Sequence, residues 1–215
     1  RDSNGVGLGS LTTLHNATLT CASTINLNPN PVPDVLRGNG TIEGPVDNAG
    51  IIRPGFEEGD RIGRIAFGAP YTSGAGAFHG VVEIDVDGPG LADIDRLEVS
   101  SSVGLHGALR VRTRGSFVPA NGYSQPFIIA GGGITGQFAT LDLPPRFSVQ
   151  YSTTLVRLRY CAADFNQDGV ADSTDFFAYL DAFFGANLSA DVDGNQVVNS
   201  TDFFAFLTAF FTGCP

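Results

Sequence analysis

Between residues 36 and 68 the apolar positions come in short runs: Leu36, Thr41-Ile42, Val46, Ile51-Ile52 and Ile65-Ala-Phe67. Asn-Gly, Pro-Gly and Gly-Asp corners separate them. Runs this short, with few two-residue hairpin turns, predict parallel strands stacked in successive coils, each sending an apolar side chain inward. A β-sandwich with ordinary hairpins is the alternative. Upstream, 11–14, 17–21 and 24–27 read as short strands, and Asn28 to Pro33 as a stiff extended loop, since each proline pins its own φ and restrains its predecessor. Downstream the strands lengthen, over 77–86, 95–99, 107–113, 125–130, 136–141, 147–151 and 154–160. Leu109 and Val111 alternate with Arg110 and Arg112, and Val156 and Leu158 with Arg157 and Arg159, the period of a half-buried strand.

The pattern then changes to a duplication. Asp164-Phe-Asn-Gln-Asp-Gly-Val-Ala-Asp-Ser-Thr-Asp175 and the apolar segment 176–184 recur 27 residues later as Asp191-Val-Asp-Gly-Asn-Gln-Val-Val-Asn-Ser-Thr-Asp202 and 203–211. Each apolar segment predicts a helix. Phe176, Leu180 and Phe183/Phe184 form one face, with Phe177 and Tyr179 off it. Phe203, Leu207 and Phe210/Phe211 repeat that face, with Phe204 and Phe206 outside. The extra aromatics either pack the helices together and onto the β-region or form an exposed patch awaiting a partner.

Composition separates the same two regions, 1–160 and 161–215. All 12 basic residues are arginines before residue 162, against 14 of the 22 acidic residues. Residues 162–215 hold 8 Asp and no basic residue, a net charge of −8. An acidic chain argues against nucleic acid as a partner. No apolar run approaches the ~20 residues that a membrane helix needs. The chain starts at Arg1 and lacks Met, and so reads as a processed product or fragment.

Each duplicated loop places oxygen ligands at positions 1, 3, 5, 9 and 12: Asp164, Asn166, Asp168, Asp172 and Asp175, then Asp191, Asp193, Asn195, Asn199 and Asp202. A hard cation such as Ca²⁺ takes six to eight oxygens, and a twelve-residue loop supplies them at alternate positions with a backbone carbonyl at position 7. Val170 and Val197 hold position 7, their side chains free to enter a core. Gly169 occupies the sharp turn at position 6. The second loop has Gln196 there and its glycine at position 4 (Gly194), which predicts a weaker or distorted second site. Two bound calcium ions would offset four of the eight charges, coupling metal binding to folding.

Loop-plus-exit-helix units with Asp at position 12 and Ser-Thr at positions 10 and 11 resemble a type I dockerin, in the variant found at the C-termini of secreted proteins from planctomycete-like bacteria. The resemblance covers residues 162–214. It implies a cohesin-like β-sandwich partner recognised through Ser173, Thr174, Ser200 and Thr201, beside which Phe177 and Phe204 lie. The basic residues common later on the recognition helix are replaced by Asp181-Ala182 and Thr208-Ala209, so another receptor or a second copy of this chain is an equal candidate. Gly38-Asn-Gly-Thr-Ile42, Val46 to Gly55, Gly107-Ala-Leu-Arg-Val111 and Gly136-Gln-Phe138 are similar to autotransporter-associated β-strand repeats. That similarity implies a right-handed parallel β-solenoid with a capping β-sheet. The expected fold is therefore mainly β with a small α-helical C-terminal module.

Cys161 and Cys214 bracket the module and are expected to form a disulfide, which suits an oxidising, extracellular setting; Cys21 is left over. His15, His79 and His106 have no second ligand at useful spacing. Asp85, Asp87, Asp93 and Asp95 read as a turn, with a glycosidase pair or a third cation site as alternatives. Sequons at Asn16, Asn39, Asn187 and Asn199 carry little weight. No hydrolase, zinc-protease or phosphate-loop motif occurs. The expectation is a secreted, non-catalytic structural protein whose calcium-loaded module joins its β-body to copies of itself or to a cohesin-like protein, in a filament, sheath or surface layer. The alternative is a carbohydrate-binding or polysaccharide-degrading subunit of an extracellular complex. Adhesion through the arginine-faced strands is a third reading.

Overall fold

A computed structural model describes residues 9–29, 32–56, 61–74, 80–115 and 117–214 of the chain. His79, the first residues of the 77–86 strand, and part of the 28–33 loop lie outside them. The strands are β1 (Leu11–Leu19), β2 (Ile25–Leu27), β3 (Val35–Ile42), β4 (Val46–Asn48), β5 (Ile51–Pro54), β6 (Arg64–Phe67), β7 (Tyr71–Thr72) and β8 (Val81–Val86). They continue as β9 (Arg96–Val99), β10 (Val103–Leu105), β11 (Ala108–Thr113), β12 (Ser124–Ala130), β13 (Ile134–Gly136), β14 (Thr140–Asp142), β15 (Phe147–Tyr151) and β16 (Leu155–Tyr160). Helices α1 (Ser173–Phe184) and α2 (Ser200–Thr212) follow.

The strands form two sheets. The larger has eleven strands in the order β14-β11-β8-β5-β3-β6-β9-β12-β16-β15, with β1 paired to β3 off that path. The smaller is parallel, β13-β10-β7-β4-β2. This corrects the expected right-handed parallel β-solenoid with a capping sheet: the large sheet is mixed and curls into a half-barrel beside the parallel one. β3 explains the difference. It runs through Gly38-Asn39-Gly40 without ending, pairing β5 with its first residues and β6 with its last. The two flanks thereby become one curled sheet. At the far end β16 pairs antiparallel with both β12 and β15, which makes the sheet mixed. The segments expected at 11–14 and 17–21 are one strand, β1, with a register shift between His15 and Ala17.

The core lies between the sheets. Leu36, Ile52, Ile65, Phe67, Val82, Leu97 and Leu109 are buried there, with Tyr71 and Phe127 as the largest side chains. On the outer face of the large sheet, buried Glu83 on β8 is flanked by Arg53 on β5 and Arg110 on β11, and Arg110 reaches Asp142 on β14 at 3.1 Å. Arg114 pairs with Asp85 at 2.8 Å. Charges thus alternate across neighbouring strands, where opposite signs attract, and Arg110 of the expected arginine face is paired within the fold.

The acidic run between β8 and β9 also serves the fold. Asp95, fully buried, accepts hydrogen bonds from Gly63 N (2.7 Å) and Asp85 N (2.8 Å). Asp93 accepts one from Gly90 N (2.9 Å). Only the Asp93 bond is a turn contact; Asp95 ties the segment before β9 to Gly63 and to β8. No helix among the described residues is long and apolar enough to cross a membrane.

Candidate metal centre

The duplicated loops run directly into α1 and α2, and each begins its helix by the same device. Asp172 and Asn199, at position 9, are the N-caps, accepting from Thr174 N and Thr201 N at 2.7 Å each. Asp175 and Asp202, at position 12, are the third helical residues and accept from the N-cap backbone at 2.8 and 2.9 Å. These reciprocal capping boxes satisfy orphan N–H groups that a helix start leaves exposed.

Alternate residues fold the rest of each loop. In the first, Asn166 Oδ1 accepts from Asp168 N and Asp168 Oδ1 from Val170 N, both at 2.9 Å. In the second, Asp193 Oδ1 accepts from Asn195 N and Asn195 Oδ1 from Val197 N, at 3.1 and 2.8 Å. Such side-chain-to-backbone turns are what short Asx side chains do well. Position 1 closes each loop: Asp164 and Asp191 accept from the position-6 N–H of Gly169 (3.1 Å) and Gln196 (2.7 Å). Asp175 and Asp202 also reach back to position 3, to Asn166 N (2.8 Å) and Asp193 N (3.2 Å).

The two loops share their strained positions as well. Position 4 has positive φ in both (Gln167 +66°, Gly194 +74°), and so does position 6 (Gly169 +92°, Gln196 +67°). Each loop therefore holds one glycine and one glutamine in the left-handed region, in opposite order. At these two backbone positions the second loop matches the first. Its glycine sits at position 4 for a different reason: a Cβ on Gly194 would meet Val118 Cγ2 at 2.3 Å, whereas one on Gly169 would meet nothing within 4 Å.

The folding brings three carboxylates together in each loop. Ligand atoms of Asp164, Asp168 and Asp175 lie within 4.8 Å of one another, as do those of Asp191, Asp193 and Asp202. Asp175 and Asp202 are fully buried, and Asp164 nearly so. Asp164 Oδ1 is buried without a hydrogen-bond partner. Burial first, and then the nearby Asp175, push the Asp164 carboxyl above the usual carboxylate range, as desolvation and like charge both disfavour the anion. Asn166 and Asn195 stay on the loops, their amide nitrogens donating to Asp168 and Asp193 at 2.9 Å each. Val197 O accepts from Asn199 Nδ2 at 3.3 Å. Contrary to expectation, the side chains of Val170 and Val197 face solvent (60% and 57% exposed) rather than a core. The donors converging on each centre are all oxygens, the set that suits a hard divalent cation.

The helices pack through part of the expected face and through two residues placed off it. Tyr179 and Phe206 are fully buried and stack with centroids 3.9 Å apart and planes 3° from parallel. Phe165, Phe176, Phe183, Phe203 and Phe210 surround them. Phe184 and Phe211, expected on the packed face, are more than 80% exposed, and Phe177 and Phe204 are about two-thirds exposed. Phe177/Phe184 and Phe204/Phe211 are each separated by seven residues, so each pair lies on one helix face. Ser173, Thr174, Ser200 and Thr201 are exposed at the start of the same helices.

The β-body supplies contacts with no signature in the sequence. Arg146 Nη2 donates to Ser189 O, and its guanidinium lies 4.9 Å from the Phe165 ring centroid. Asn121 spans both ends of the module, accepting from Ala162 N and donating to Gly213 O at 3.0 Å each. A disulfide joins Cys161 to Cys214, with Cα atoms 5.4 Å apart. Cys21 is a free thiol. Compared with protein-family models and with curated proteins, the sequence matches none.

Proposed function

We propose that the chain is a non-catalytic extracellular assembly protein, a β-body that joins other molecules through a calcium-loaded, dockerin-like module. One observation carries the reading: a complete oxygen-donor loop occurs twice in the same geometry, each copy leading into a helix that exposes Ser-Thr and two phenylalanines. The chemistry fits the ion. Three carboxylates converge in each loop, no basic residue from 162 to 215 is there to neutralise them, and Asp164 Oδ1 is desolvated without a donor. A divalent cation offsets both costs.

In this reading Asp164, Asp168 and Asp175 hold one calcium ion with Asn166, Asp172 and the Val170 carbonyl. Asp191, Asp193 and Asp202 hold the other with Asn195, Asn199 and the Val197 carbonyl. The ion's role is to neutralise the loop and set the angle at which α1 and α2 leave it. The exposed phenylalanines and Ser-Thr pairs then meet a neighbouring copy or a cohesin-like receptor. Titration calorimetry with CaCl₂, and electron microscopy with calcium and with chelator, test the proposal. Two bound ions per chain and assemblies that dissolve on chelation are expected. A chain that takes up no calcium at millimolar concentration sinks it.

A further inference from the structure

Of the two arginine-faced strands, the fold satisfies one and not the other. Arg110 on β11 is held by Glu83 and Asp142. On β16, Val156, Leu158 and Tyr160 are buried, so Arg157 and Arg159 lie on the outer face of the large sheet. Among the described residues neither forms an ion pair. Their cross-strand neighbours are neutral: Ser124 and Ser148 beside Arg159, Pro126 and Gln150 beside Arg157. Further along the same face Leu155 pairs with Ile129, and both are half-buried. The patch is two cations beside a small apolar strip, on a chain of net charge −10. Like charges this close repel each other and are relieved by an anion.

The module carries the complementary surface. Phe177, Asp181 and Phe184 are all exposed, and their spacing of four and three residues puts them on one face of α1. Asp181 lies in the last helical turn, which holds no basic residue. There the helix dipole favours a cation over a carboxylate, and among the described residues the Asp181 side chain has no partner. The matching stripe on α2 has Thr208 at its centre, its hydroxyl donating to Phe204 O, so α1 alone presents an acid between two rings. Phe177 to Phe184 spans about 10 Å along a helix, and Leu155 to Arg159 about 13 Å along a strand, so the two surfaces match in length. Within one chain both stay unpaired, which leaves each for a second copy.

We infer that the outer face of β16 receives α1 of a second copy. The Asp181 carboxylate accepts from the Arg157 and Arg159 guanidinium groups, and Phe177 and Phe184 cover Pro126, Ile129 and Leu155. Guanidinium forks suit carboxylates, and rings that exclude water strengthen the attraction. An anionic polysaccharide would meet the arginines but leave the apolar strip uncovered. The contact is heterologous, so it builds a ring or an open filament rather than closing at two copies. The inference rests on the proposed connector function and names the surface that its module binds.

Sedimentation velocity of the full chain in CaCl₂ is the test, and species larger than one chain are expected. Asp181→Arg sets cation against cation, and Arg157→Glu with Arg159→Glu sets anion against anion; each variant alone is expected to be monomeric. Mixed in equal amounts, the two regain complementary contacts in both directions, and the large species are expected to return. Misfolding cannot produce that rescue. If a reversal does not fold, Asp181→Asn and Arg157→Gln with Arg159→Gln keep the shapes, and each is expected to weaken assembly about tenfold or more. A monomeric wild-type chain overturns the inference, and if heparin retains that monomer but not the Arg157→Glu, Arg159→Glu chain, an anionic polysaccharide is the occupant instead. Assembly indifferent to these substitutions, or a mixture of folded reversal variants that stays monomeric, also overturns it, while calcium-dependent assembly leaves the connector function standing. Assembly that follows the charge pattern in a chain binding no calcium sinks the calcium-loaded connector and leaves this contact standing.

Discussion

Gly194 and Gly169 occupy equivalent loops yet answer to different constraints. Both have positive φ, so an alanine at either costs about 1 kcal/mol of backbone strain. At Gly194 the new Cβ also meets Val118 at 2.3 Å. Gly194→Ala is therefore expected to lower the melting temperature of the module clearly more than Gly169→Ala, as calorimetry of the two variants would show. Equal losses would mean that Val118 gives way freely. Buried phenols set a second residue-scale expectation. Burial, with help from Asp93, pushes Tyr123 from an ordinary 10.0 up to about 12, and Tyr71, fully buried, is also raised. A pKa raised by folding means that the folded state favours the neutral phenol. That contribution is complete below pH 10 and is lost as pH climbs toward 12. Absorbance at 295 nm should show these two phenols ionising together with unfolding rather than before it.

Helices α1 and α2 divide their aromatics between two tasks. Tyr179 and Phe206 form the centre of the stack, so truncating either opens a cavity costing about 3–5 kcal/mol. Phe177 and Phe204 rest mostly in solvent. The double change Phe177→Ser with Phe204→Ser should shift thermal stability by less than about 1 kcal/mol while abolishing the proposed calcium-dependent assembly, with electron microscopy as the check. Assembly that survives this change would place the contact elsewhere on the molecule. The face reading from 3.6-residue spacing placed Phe176, Phe183, Phe203 and Phe210 where they pack, but it also put Phe184 and Phe211 there and left Tyr179 and Phe206 outside. These helices are apolar nearly all round, and in such a sequence periodicity cannot say which side meets the partner helix.

The body and the module meet through Arg146, Asn121, the close approach of Val118 to Gly194 and the disulfide, and through apolar packing that puts Ala162, Ala163 and Ala209 in the same core as the body. With eight Asp and no basic residue in the module, removing calcium should destabilise it selectively. A scan of the calcium-loaded chain is expected to show the module melting at or above the body. In chelator a separate, earlier transition should appear, with loss of helical signal at 222 nm. A single transition unmoved by chelator would mean that the loops fold without metal, held by their capping boxes and Asx turns. Few of these cross-contacts were legible beforehand. Nothing local marks Arg146 as the partner of Ser189 and Phe165, or Asn121 as the residue that ties Ala162 to Gly213.

The 27-residue duplication settles the equivalence of the two loops on its own, because ligand positions, N-caps and third-residue acids recur at fixed spacing and act over a few bonds. Turn chemistry and strand alternation are local in the same way, and most strands between 36 and 160 fall where the apolar runs place them. Sheet connectivity is not local. Whether β3 stops at Gly38–Gly40 or runs on depends on neighbours ten or more residues away, and on that hinges the single curled sheet in place of coils. The same holds for the exposure of Val170, the choice of Tyr179 over Phe184, and the close approach of Val118 to Gly194. Each is decided by which surfaces meet, and only the packed chain brings those surfaces together.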